Sequence, residues 1–65
     1  MIIVNGTESL WEEGLTVEKL LRRENYTFKM IAVWVNDSVV DKREYPIYKI
    51  PDGANVQVIH NISGG

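Results

Sequence analysis

The sequence predicts a small α+β fold, a mixed sheet of four to five strands with one main helix on one face. Short β-branched runs alternate with turn signals: Asn5-Gly6, Asn36-Asp37 and Pro51-Asp52-Gly53. Only one stretch carries apolar residues at helical spacing. The resulting order is ββαββ, with room for a turn of helix before the final strand.

Each element has a local reason. Met1 to Val4 is an apolar run stopped by Asn5-Gly6, a pair that accepts positive φ at both central positions of a tight hairpin. Thr7 to Trp11 is expected to be the returning strand. Glu12-Glu13-Gly14 breaks it, and Thr16 suits the N-cap of a helix. Val17, Leu20 and Leu21 then form one apolar stripe. Glu18 falls in the first turn and Arg22-Arg23 in the last, as the helix dipole favours, and Asn25 is a reasonable stop. So short a helix needs a sheet beneath it. Ile31 to Val35 is the next strand, with Val39-Val40 as a brief continuation beyond the Asn-Asp turn. Lys42 to Ile47 is expected to be a loop or a single helical turn. Asn55 to Ile59 is the last strand. With the first and last strands parallel in the middle of the sheet, this order makes a β-grasp, or ubiquitin-like, roll. Residues 1–60 form the expected domain and residues 61–65 a flexible tail.

Sixty-five residues leave no room for a second domain, and a chain this size buries only about 60% of its unfolded surface. There is no Cys, so neither disulfides nor thiolate ligands can staple it, and thiol catalysis is excluded. A net charge of −2 argues against nucleic acid or an anionic membrane as the main partner. No apolar run approaches the ~18 residues of a membrane span, and no signal-peptide pattern is present, so the expected compartment is the cytoplasm. With a single His and a small core, the chain has little material for its own catalytic site. It reads as a carrier, modifier or binding module.

The sequence ends in Ser63-Gly64-Gly65. A random Gly-Gly end has a chance of roughly half a per cent at average usage. Gly-Gly makes a thin stalk ending in a carboxylate, able to enter an active site where any Cβ would clash. Asn61 to Gly65 extended spans roughly 16 Å, enough to leave the domain. A bulky or charged residue at position 64 is expected to block entry. No metal or cofactor site is expected on this chain.

Val35-Asn36-Asp37-Ser38-Val39-Val40, Asp52-Gly53-Ala54-Asn55-Val56 and the Gly-Gly end, in that order and spacing, resemble the ThiS family of ubiquitin-like sulfur carriers. The resemblance covers essentially the whole chain. It departs at Asp41-Lys42, where the family often has Pro-Arg, at Tyr45, often Trp, and at Ala54, often a second Asp. These departures are expected in loops or at a partner edge. The resemblance implies an E1-like, ThiF-like adenylyltransferase that uses ATP and magnesium to adenylate the Gly65 carboxylate. Sulfur from cysteine, through a desulfurase or another donor, would then give a thiocarboxylate. A ThiG-like thiazole synthase would receive that sulfur for thiamine. The alternatives are a MoaD-like carrier of molybdopterin synthesis, a ubiquitin-like protein modifier, or a β-grasp binding module whose glycines are inert.

Strand alternation also marks a docking face. With Ile2, Val4, Val33, Val35, Val56 and Val58 turned to the helix, Ile3, Trp34 and Ile59 face the other way. These three are expected to form an exposed apolar patch with Trp34 as its anchor. His60 is expected to be a strand-end residue without a metal. Glu12-Glu13 should only solvate a loop, and Lys42 and Arg43 an exposed face. Leu10, Trp11, Tyr26 and Phe28 are expected in the core or at its rim. Asn5-Gly6 is expected to be a turn and no more.

Overall fold

Two hairpins and one helix are built around a last strand that fills the middle of the sheet. The structure, a computed structural model, describes residues 1–26 and 31–60, the side chain of His60 excepted. The strands are β1 (Ile2–Val4), β2 (Thr7–Ser9), β3 (Ile31–Val35), β4 (Ser38–Val40) and β5 (Asn55–His60), and the helix is α1 (Val17–Arg23). The sheet order is β2-β1-β5-β3-β4. β5 runs parallel to β1, with Val4 opposite Val56, and antiparallel to β3, with Val33 opposite Val58. The mixed sheet with one helix is therefore as expected, including the central parallel pair.

Both hairpins turn through two residues with positive φ. Asn5 and Gly6 have φ of 50° and 83°, and Asn36 and Asp37 have 49° and 70°. Those signs match the type I′ turn, whose twist suits the flanking strands. β2 is shorter than the expected strand to Trp11. Ser9 lies opposite Ile2, so Leu10 would need Met1 as its partner. Met1 is engaged elsewhere: its carbonyl accepts from Gly53 N–H at 3.1 Å and its ammonium group donates to Asp52 at 2.9 Å.

The helix of seven residues has its ends satisfied. At the start, Thr16 Oγ1 accepts from Lys19 N–H, while the carbonyls of Tyr48 and Tyr45 accept from Val17 and Glu18 N–H. At the other end Asn25 takes φ of 63°, with Tyr26 N–H on the Leu21 carbonyl and Asn25 N–H on that of Arg22. This pair of bonds is a Schellman motif with Asn in the glycine position.

Val17, Leu20 and Leu21 lie buried against Ile2, Val4, Val33, Val35, Val56 and Val58. Lys42–Glu44 form a 3-10 turn, capped by Asp41, whose carboxylate accepts from Arg43 N–H. That turn delivers Tyr45 into the core, 3% exposed. Ala54 is equally buried. The two departures expected at loops or a partner edge are thus core positions, because the 3-10 turn and the Pro51–Gly53 turn direct them inward. Trp11 and Tyr26 pack on the core rim, as expected, and Trp11 Nε1 donates to the Ile50 carbonyl at 2.7 Å. Leu10 does not: it is 70% exposed at the strand's unpaired end, where its carbonyl accepts from Arg23. The expectation for Phe28 lies outside the described residues.

Candidate functional site

The sheet face turned away from the helix can be mapped from the register. Trp34 lies opposite Val39 on one side and Gln57 on the other. Ala32 lies opposite Ile59, so Ile59 is diagonal to Trp34 on the same face. Trp34, Val39 and Ile59 are 37%, 62% and 50% exposed. They form a contiguous apolar group across β3, β4 and β5, with Ala32 half-buried between them. The expected exposure of Trp34 and Ile59 is therefore observed.

Ile3 shares the face but stands apart from this group. It is half-buried and lies between Glu8 of β2 and Asn55 of β5. β5 carries polar residues at 55 and 57, so its row separates Ile3 from Trp34. Val39 was missed because a short strand after a turn does not by itself say which residue of β3 it faces. Its pairing with Trp34 makes it part of the patch.

The patch carries no acid, base or nucleophile of its own, so it can bind and cannot react. Ile59 places it beside the end of β5, from which the chain continues toward Gly65. Ser63, Gly64 and Gly65 themselves lie outside the described residues, as does the side chain of His60.

β5 is braced by the two hairpin turns, by Asn36 on its β3 side and by Asn5 on its β1 side. Asn36 Oδ1 accepts from Asn55 N–H at 2.9 Å, and Asn36 N–H donates to the Asn55 carbonyl at 2.9 Å. Asn5 does the same further along. Its Oδ1 accepts from Val58 N–H at 2.8 Å, and its Nδ2 donates to the Val58 carbonyl at 3.1 Å and to the Tyr26 hydroxyl at 3.0 Å. Asn5 is therefore more than a turn residue, contrary to the expectation from sequence. Only the return of β5, 53 positions later, gives its amide that partner.

Other polar groups brace the frame or lie on the surface. Glu12 faces Arg23 at 3.8 Å, and Arg23 also donates to Ser9 Oγ, tying the first hairpin to the end of α1. Lys42 and Arg43 are exposed, and Arg43 sits 3.6 Å from Asp41. The hydrogen bond from Arg43 N–H holds the Asp41 carboxyl below its usual range, aided by the Arg43 charge. Burial pushes the Tyr45 phenol up, and the negative charge of Asp41 adds to this. A cleft of about 220 Å³ lies by Asn5, Glu8, Glu24 and Tyr26, below the usual size for a small-molecule site. Among the described residues no cluster of three or more His, Asp or Glu could hold a metal ion. Among the same residues no helix is long and apolar enough to cross a membrane.

Comparison with known proteins adds the family. The ThiS family model matches residues 2–65. The crystal structure of the thiamine biosynthesis protein ThiS from Geobacter metallireducens superposes with a TM-score of 0.81 at 24% identity, covering 98% of this chain and 97% of that one. No curated protein matches the chain.

Proposed function

The chain belongs to the ThiS family of small sulfur carriers, and on that premise we propose that its working group is the Gly65 carboxylate. A ThiS-like carrier is not itself an enzyme; it is acted on by sulfur-transfer partners. A chain-terminal carboxyl is ionised at neutral pH and can act as a nucleophile. In the proposed sequence its oxygen attacks the α-phosphorus of ATP, held with magnesium by a ThiF-like adenylyltransferase, and pyrophosphate leaves. A sulfur nucleophile, supplied from cysteine through a desulfurase, then displaces AMP from the carbonyl carbon. The thiocarboxylate hands its sulfur to a ThiG-like synthase that builds the thiamine thiazole.

The observation that carries this reading is a family match that runs through Gly64 and Gly65 to residue 65. The apolar group at Trp34, Val39 and Ile59 supports it, since a partner seated there would lie within reach of the tail. Gly65 lies six positions beyond Ile59, a reach of up to ~20 Å when extended. On this proposal Trp34 and Ile59 contribute the docking contact and Ile3 its margin.

Intact-mass spectrometry tests it. After incubation with the activating enzyme, ATP, cysteine and desulfurase, the chain should gain the mass of a sulfur-for-oxygen exchange. A variant lacking Gly65 should keep its thermal midpoint and gain nothing. An adduct on lysine would identify a protein modifier. An unchanged mass with every component active would leave a binding module.

A further inference from the structure

We propose that Asn5 is a positioning residue that fixes the root of the C-terminal tail by standing in for the strand residue that β1 lacks. This inference rests on the reading that Gly65 is the reacting end. The last pair between β1 and β5 joins Val4 to Val56, and Asn5 N–H still donates to the Val56 carbonyl at 2.9 Å. There the main chain turns away through Gly6, yet β5 continues to His60. On its β1 side Val58 would be left with an open N–H and an open carbonyl. The Asn5 side-chain amide meets both, at 2.8 and 3.1 Å, with the donor and acceptor of one carboxamide. A carboxamide is a peptide group in miniature, so the ladder gains one more rung without more backbone.

The second Nδ2 hydrogen goes to the Tyr26 hydroxyl just beyond α1, which sets the amide's orientation. The first hairpin, the helix end and the tail strand are thereby joined at one residue. Val58 is the seventh residue before Gly65. β3 still pairs with β5 as far as His60, so without the Asn5 amide β5 is held at Val58 from one side alone and the point from which the tail extends is fixed less tightly. The terminal carboxylate then samples a larger volume, and fewer molecules present it correctly to a partner docked on the sheet.

Asn5→Gly tests this cleanly, because glycine accepts the φ of 50° and keeps the turn while deleting the amide. In the free carrier, Val58 amide exchange measured by NMR should accelerate at least about tenfold while core amides such as Leu20 change little. With the activating enzyme and ATP, pyrophosphate release should show KM for the carrier raised about fivefold and kcat unchanged. Asn5→Asp retains an acceptor for Val58 N–H, so it should keep much of the amide protection and give a smaller KM rise; it also serves if the glycine variant folds poorly. Unchanged Val58 exchange in Asn5→Gly overturns the proposal. A raised KM without faster exchange overturns it too, since Asn5 would then touch the enzyme directly. Normal kinetics in a variant with fast exchange would show that the root needs no fixing. A wild-type chain that is never adenylated would instead overturn the reading of Gly65.

Discussion

The two faces of the sheet are made by the same strands and largely the same residue types, yet among the described residues only one is covered. On the helix side Ile2, Val33 and Val56 are fully buried, and Val35, Val40 and Val58 nearly so. On the opposite side Trp34, Val39 and Ile59 remain exposed. β3 reads Ile-Ala-Val-Trp-Val without a polar residue. Such a run is the pattern of a strand buried on both sides, whereas a sheet with one solvated face alternates apolar with polar. β5 does alternate at its start, with Asn55 and Gln57 on the bare side. The exposed excess apolarity thus lies on the β3–β4 hairpin and the end of β5, with the half-buried Ile3 of β1 set apart from it. What this teaches is that the fold's stability and its proposed docking surface use opposite sides of the same strands.

That contrast can be broken or sharpened by substitution. The largest effect belongs to the covered face. Leu20→Ala should cost about 2–5 kcal/mol by chemical denaturation, a large share of the roughly 5–15 kcal/mol that holds a small domain together. Trp34→Ala should cost less than about 1 kcal/mol of stability, yet weaken binding to the activating enzyme by about thirtyfold or more. Unchanged affinity in a calorimetric titration would remove Trp34 from the interface. The smallest effect concerns the edge of the core. Burial raises the Tyr45 phenol above its ordinary 10.0. Its neutral form is favoured by folding, so the associated stability is intact below that ordinary value and is lost as pH rises through the folded one. Denaturation midpoints should therefore drop above about pH 10, and the drop should be shallower in Tyr45→Phe.

The candidate site was legible in part, and the boundary has a physical cause. Trp34 and Ile59 were found by alternation, because a strand's side chains change face at every residue whatever the strand is paired with. Val39 was not, since its place beside Trp34 depends on the register of β3 against β4. Leu10 was misplaced because its local pattern continues a strand, while the partner strand has already run out at Ile2. Tyr45 and Ala54 looked like loop residues, and the turns that carry them fold back over the core.

What the chain determines by itself are the features decided within a few residues: two tight turns whose Asn, Gly and Asp accept positive φ, a helix with its cap and stripe, and strands with known faces. Tertiary structure alone decided which segments meet. It set Val39 against Trp34, closed Tyr45 into the core, and brought the Asn5 amide to Val58 across nearly the whole length of the sequence. Local conformation follows from sterics and hydrogen bonds between near neighbours, whereas these contacts require strand order and register, which no short window of residues contains.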